Sequence, residues 1–227
     1  MLIGISGYSN SGKDTVGTII QYLNCKKPQT SIEQICADYS EYEYWLDEQS
    51  GWEIRKFAGK LKDIASHLTG IDVEDFEDQE FKKTNLGPEW DVPATTSLVN
   101  GVIDLSEMRP MTVREFLQKL GTNALRNGLH DNVWVNALMS DYKNDDQTGL
   151  LPNWIITDVR FPNEAKAIKD KGGIMIRIDR PGISPINNHP SEIGLDDWKF
   201  DYKIANVSDV ISLMFTVNNI LKHIKVL

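Results

Sequence analysis

The run Gly7-Tyr8-Ser9-Asn10-Ser11-Gly12-Lys13-Asp14-Thr15 has the residue types and spacing of a cradle for phosphate. Glycine at either end of such a loop lets backbone N–H groups turn inward without a Cβ clash, and a following helix adds the positive end of its dipole and its unpaired amides. Lys13 is then placed to reach the β and γ phosphates of a nucleotide. The hydroxyl that usually binds Mg²⁺ in loops of this kind is replaced by Asp14, and Thr15 comes next. A carboxylate ligates Mg²⁺ or holds its waters, so Asp14 and Thr15 are both candidate metal ligands. Gly7, Ser11, Gly12, Lys13, Asp14 and Thr15 form the expected nucleotide-binding set, with ATP and Mg²⁺ as the cofactors.

Such a loop works only between a strand and a helix. Leu2 to Ser6 reads as a buried strand and Asp14 to Leu23 as the helix behind it, with Val16, Ile19, Ile20 and Leu23 on one face. Residues 25–52 are polar, acidic and rich in Tyr and Trp, and read as an insertion or irregular connection. Glu53 to Phe57 is expected as a second strand, and Ala58 to Leu68 as a helix with an apolar stripe of Leu61, Ile64, Ala65 and Leu68. The charged run Asp72 to Lys83 reads as a solvated face leading into a loop up to Met111 that contains Pro88, Pro93 and Pro110.

Thr112 and Glu115 have capping-box spacing for a helix that buries Val113, Phe116, Leu117 and Leu120 and that Gly121 should end. Asn123 to Asn127 and Val133 to Tyr142 look like two further helical pieces. Trp154 to Asp158 is a nearly all-apolar run closed by an acid, as expected of a central parallel strand that delivers a carboxylate to its C-terminal edge. A crossover helix over Asn163 to Lys171, strands over Gly173 to Ile178 and Tyr202 to Ala205, and a closing helix over Ser208 to Ile224 complete the pattern. The predicted fold is α/β: a doubly wound parallel sheet of P-loop type with helices on both faces and its ligand crevice at the strand C-termini. Residues 1–227 are expected to form one domain, with an insertion at about 72–111 and a lid-like segment at about 179–198.

Gly12-Lys13-Asp14-Thr15, Phe57-Ala58 with Leu61-Lys62, Val113-Arg114-Glu115-Phe116-Leu117-Gln118-Lys119-Leu120-Gly121-Thr122, and Asp158-Val159-Arg160-Phe161-Pro162-Asn163-Glu164 follow one another along the chain. With Arg180-Pro181 and His189-Pro190-Ser191-Glu192 added, the series resembles the deoxynucleoside monophosphate kinases of tailed bacteriophages. Residues 25–52 and 85–108 contribute little to the likeness. The resemblance implies transfer of the ATP γ-phosphoryl group to a dNMP, giving a dNDP for nucleotide biosynthesis, and it suggests a homodimer. With its two cysteines and no spanning run or signal peptide, the sequence reads as that of a cytoplasmic protein, in the host cytoplasm if a phage encodes it.

Phosphoryl transfer requires cationic charge on the phosphates, a metal, in-line alignment and exclusion of water. Lys13, Asp158 and Arg160 are the candidate catalytic residues, with Arg160 stabilising the transferring group. Asp158 either binds Mg²⁺ through water or orients Arg160 and the acceptor phosphate; capping the helix near Phe161 would be its purely structural role. Lys62, Arg114 and Arg126 are candidates for the acceptor phosphate, which an Arg fork matches bidentately. Ser9, Phe57, Leu61, Gly121, Thr122, Trp134, Glu164, His189 and Glu192 complete the expected acceptor site, Phe57 and Trp134 as a base slot and His189 or Glu192 toward base or sugar. Arg180 is assigned to the ATP side.

Charge and composition bound these readings. The 24 basic and 33 acidic residues leave a net charge of -9, which argues against a general electrostatic grip on nucleic acid, whereas a free nucleotide can be held by a local cationic cluster. Cys25 and Cys36 form no C-x-x-C pair and the histidines at 67, 130, 189 and 223 are scattered, so neither a zinc site nor a disulfide framework is expected. No apolar run approaches membrane-spanning length, and the stretch before the loop is too short for a signal peptide. Two other readings fit a phosphate loop: a kinase of another small phosphate, phosphomevalonate-like or adenylate-kinase-like, and a non-enzymatic nucleotide switch.

Overall fold

The computed structural model describes residues 1–28, 30–94, 98–99, 102–103, 107–185 and 190–227. It divides into two compact units, one of Met1–Phe57 with Val135–Leu227 and one of Ala58–Trp134.

The first unit is built on five parallel strands: β1 (Leu2–Ser6), β2 (Trp52–Arg55), β3 (Asn153–Ile156), β4 (Ile174–Asp179) and β5 (Tyr202–Ala205), in the order β2-β3-β1-β4-β5. β1 is buried along its whole length and pairs Gly4 with Ile156 of β3 and Ser6 with Arg177 of β4. Its residues alternate between two covered faces. Ile3 and Ile5 join Val16, Ile19 and Ile20 of α1 (Lys13–Asn24) and Leu213, Val217 and Leu221 of α9 (Val210–His223) in one core. Gly4 faces the other way, where an added Cβ would lie 2.6 Å from Ile168 of α7 (Pro162–Asp170) and 2.5 Å from Met175. Helices thus cover both faces of a parallel sheet, the α/β arrangement expected from the sequence. Each fully buried Ile or Val in it contributes about 1.5–3 kcal/mol.

Residues 25–52 are not irregular. They form α2 (Ile32–Ala37), capped by the Ser31 hydroxyl accepting from Gln34 N–H, and α3 (Tyr39–Ser50), closed by Gly51 in the left-handed conformation at φ 67°. Ile35 and Leu46 are buried with Cys25, while Tyr44 is 83% exposed, so only a thin apolar stripe marks these helices. A short α8 (Pro190–Ile193) lies within the expected lid-like segment, and Leu195 just after it is buried.

The second unit holds α4 (Gly59–Thr69) and α5 (Val113–Gln118), joined by single 3₁₀ turns over Glu74–Glu77, Phe81–Lys83 and Pro88–Trp90 and by two-residue strands, of which Val92–Pro93 pairs antiparallel with Met108–Arg109. Its core gathers Ala65, Phe76, Met111, Val113 and Phe116. The apolar stripe of α4 is narrower than its spacing predicts: Ala65 is buried, but Ile64 and Leu68 are 39% and 52% exposed. Phe76, inside the charged run read as a solvated face, is fully buried. Thr112 caps α5 by accepting from Glu115 N–H, yet the Glu115 carboxylate pairs with Arg109 and Lys119 instead of returning to the cap. Gly121 does not end the helix. The chain continues through Lys119–Asn127 as a π-helix, a wider spiral uncommon in folded proteins and frequent at functional sites. α6 (Val133–Met139) follows it.

Candidate active site

In the first unit the loop 7–15 leaves the C-terminal end of β1 and opens α1. Asn10 and Gly12 sit in the left-handed region at φ 62° and 100°, so the backbone turns sharply enough to bring Ser11 N–H to the Tyr8 carbonyl at 3.2 Å. At Gly12 a Cβ would lie 2.6 Å from the Asn206 amide nitrogen, which donates to the Ser11 carbonyl at 2.9 Å. Only glycine meets both demands there.

Lys13 lies buried at the start of α1, and its Nζ donates to the Tyr8 carbonyl at 2.7 Å. Burial and the nearby Arg160 guanidinium lower its pKa to about 8. The Ser11 hydroxyl is buried and has no hydrogen-bond partner among the described residues. A buried polar atom left so costs about 1–3 kcal/mol, which a phosphate oxygen accepting from it would recover. Arg180 reaches the Asn10 carbonyl at 3.4 Å, on the loop it was expected to serve.

Asp14 is exposed, and its Oδ1 accepts from the Thr157 hydroxyl at 2.5 Å with the Lys56 amine 3.7 Å from the same oxygen. Thr15 is half-buried in the first turn of α1. Among the described residues no three His, Cys, Asp or Glu side chains gather to hold a metal ion by themselves.

Beyond β3 the chain delivers Asp158, whose Oδ1 accepts from Phe57 N–H at 2.8 Å, and then Arg160, whose Nη1 donates to Glu192 Oε1 at 2.8 Å. The other oxygen of Glu192 is buried and has no partner among the described residues. Glu164 is buried as a cap: its Oε2 accepts from the backbone N–H groups of Arg160 and Phe161, at 2.8 and 3.0 Å, and so starts α7. Phe57 is buried in this unit. Ser9 is half-buried on the loop.

The second unit carries the other candidates. Lys62, buried on α4, pairs with Glu77; Arg114 Nη2 donates to Gln79 Oε1 at 3.1 Å; and Arg126, buried in the π-helix, donates to the Asp131 carbonyl at 3.4 Å. Gly121 abuts Leu61, since a Cβ added to the glycine would lie 2.8 Å from that side chain, and its carbonyl accepts from the buried Trp134 indole at 3.0 Å. Thr122 lies one residue on in the same spiral. The Asp72 to Lys83 run therefore supplies partners to two of the three candidate cations.

A model of the family described as deoxynucleotide monophosphate kinase matches residues 68–217. The chain belongs to this family. Among relatives of the kinase, the deoxynucleoside-5'-monophosphate kinase of Escherichia phage T5 is 24% identical over 93% of this chain and 92% of its own length. The deoxynucleotide monophosphate kinase of Enterobacteria phage T4 is 28% identical over 56% of this chain. A protein of Acanthamoeba polyphaga mimivirus described by the same family term is 39% identical over 42% of it. The matches span 50% of the T4 relative and 53% of the mimivirus one.

In this kinase the first-unit candidates Gly7, Ser11, Gly12, Lys13, Asp14, Asp158, Arg160, Arg180 and Glu192 gather about the loop and the end of β3, while Lys62, Arg114, Gly121 and Trp134 belong to the second unit. His189 lies outside the described residues. Sequence reasoning missed Thr157, Arg177, Asp196 and Asn206. Arg177 had a signal, a lone charge within the apolar run Ile174 to Ile178, because a charge in a buried strand must be paired. No helix among the described residues is long and apolar enough to cross a membrane.

Proposed function

We propose that this kinase transfers the γ-phosphoryl group of ATP to a deoxynucleoside monophosphate, yielding ADP and a dNDP. The observation that carries the reading is the loop at the end of β1, where a buried lysine and an unpartnered buried hydroxyl lie in one glycine-bounded turn. In the free protein Lys13 rests on a neutral carbonyl. It exchanges that carbonyl for phosphate oxygens without abandoning a buried carboxylate, and as a cation it opposes the charge that builds on the transferred group.

Asp14, with Thr15 beside it and Thr157 holding one carboxylate oxygen, would hold Mg²⁺ against the phosphates. Bound there, Mg²⁺ would supply neutralisation of the phosphate charge. Arg160 moves from Glu192 onto the transferring phosphoryl group, and Asp158 orients the segment by accepting from Phe57 N–H. Arg180, just after β4, completes the ATP side by its contact with the Asn10 carbonyl of the loop. Glu164 acts through the helix start it caps. On the second unit Lys62, Arg114 and Arg126 receive the acceptor phosphate, and Gly121, Thr122, Leu61 and Trp134 meet its base and sugar; Phe57, on the first unit, and His189 are kept as candidate contacts to base or sugar. Free nucleotides, not nucleic acid, are the partners this acidic chain suits. A homodimer in the cytoplasm is the assembly and location proposed.

Turnover with ATP against a panel of dNMPs, NMPs and phosphomevalonate, coupled to ADP release, tests the reading. Release driven by one or more dNMPs supports it. Release only with another acceptor, or ATP binding with no acceptor-driven release, defeats it.

A further inference from the structure

Arg177 is a buried cation that the proposed transfer does not use. It lies on β4 in register with Ser6, the last residue of β1, at the root of the 7–15 loop. Its Nε donates to Asp179 Oδ1 at 3.0 Å and its Nη2 to Asp196 Oδ1 at 3.2 Å. The guanidinium carbon stands 4.5 Å from the centre of the Tyr8 ring and 5.8 Å from that of Phe200. Tyr8 closes the circuit: its hydroxyl donates to the same Asp196 Oδ1, at 3.0 Å.

Two carboxylates already neutralise the buried charge, so the stack on Tyr8 is additional to what burial requires. Tyr8 is the loop residue whose carbonyl accepts from both Lys13 Nζ and Ser11 N–H. Fixing the plane of its ring and the position of its hydroxyl therefore fixes the carbonyl on which Lys13 waits. Asp196 belongs to the turn after α8, its N–H donating to the Ile193 carbonyl at 3.1 Å, and α8 carries Glu192, the partner of Arg160. One guanidinium thus anchors the loop that bears Lys13 and the segment that holds Arg160.

We propose that Arg177 is a positioning residue for the phosphoryl donor: by clamping Tyr8 and Asp196 it sets the geometry of the loop in which Lys13 meets the triphosphate. It touches no reacting atom. This rests on the reading that the 7–15 loop binds ATP, and calorimetry on the full chain with ATP and Mg²⁺, without acceptor, separates the two. Absence of heat with the unaltered protein overturns that reading, and this inference falls with it. Given binding, Arg177→Met and Tyr8→Leu are each expected to weaken ATP about tenfold, the loss expected of a buried cation–aromatic contact. The double variant should be no weaker than either single one, because the two residues act as a unit. The KM for the acceptor should stay unchanged, and Arg177→Lys, which keeps the charge but loses the fork, should not restore affinity. Unaltered ATP affinity in both single variants, even with a lowered Tm, overturns the proposal, as does full additivity in the double variant. If Arg177→Met does not fold, Tyr8→Leu at a half-buried position decides alone, and unchanged ATP affinity in it is then the overturning result.

Discussion

Lys13 of the first unit and Lys62 of the second are held differently, although Arg160 of the first also rests on a carboxylate and Arg126 of the second on a carbonyl. In the first, Lys13 and Arg180 rest on backbone carbonyls of a loop whose ends are fixed by a parallel sheet. In the second, Lys62 pairs with the Glu77 carboxylate and Arg114 rests on the neutral Gln79 amide, in a region of single helical turns and two-residue strands. A cation on a neutral carbonyl is surrendered to an incoming anion at little cost, whereas one paired with a carboxylate is gained only by displacing it. The first arrangement suits a site kept ready for one ligand. The second suits a site whose affinity is set by competition, and in which single substitutions can retune what is accepted.

The largest effect expected from this contrast is at Lys13. Lys13→Ala should lower kcat by about a thousandfold, the scale of removing one preorganised charge from a transition state. Steady-state rates beside a thermal melt check it, and an unchanged kcat would end the role assigned to this amine. Next, Arg114→Ala should raise the KM for the acceptor by about thirtyfold, the loss of one charge-assisted hydrogen bond, and leave that for ATP nearly unchanged. The opposite split would move Arg114 to the ATP side and erase the contrast.

A third, smaller effect concerns pH. With its pKa at about 8 in the free protein, Lys13 is protonated below that pH, and ATP affinity should be flat there. Above it the amine must take up a proton to meet the phosphates, so affinity should fall with rising pH, by about fivefold between pH 8 and 9 and more steeply beyond. Calorimetry at about pH 8.5, above that pKa, in two buffers of different ionisation enthalpy should report net proton uptake; proton release would contradict the assignment. The smallest effect is at Glu77, where Glu77→Gln should lower the acceptor KM by about threefold, because a surface-exposed partner of Lys62 is worth little yet competes directly. A raised KM would show that Glu77 orders Lys62 instead of competing for it.

The same contrast explains what the sequence made legible. The β1-loop-α1 unit is written in contiguous residues, an apolar run, two glycines and a lysine, and β3 with Asp158 is written in another. Those features are local, so a single sequence carries them. α2 and α3 were hidden because few apolar residues mark them and one aromatic, Tyr44, points to solvent. The exposed Ile64 and Leu68 made α4 look more buried than it is. The pairs Lys62 with Glu77 and Arg114 with Gln79 join residues far apart in the chain, and spacing cannot announce them. Thr157 under Asp14 and Asn206 under Gly12 were missed for the same reason: each is an ordinary polar residue until the fold sets it beside the loop.

The widened spiral over Lys119–Asn127 has a hereditary consequence. Such a coil closes each hydrogen bond one residue further along the chain than its common counterpart, so deleting one position within it would let it relax to ordinary pitch. The part of that helix downstream of the cut would then swing by roughly 100° about the axis, carrying Arg126 out of its buried seat where the cut lies before it. A lineage that shortened this stretch by a single codon would have to rebuild its recognition surface from new side chains.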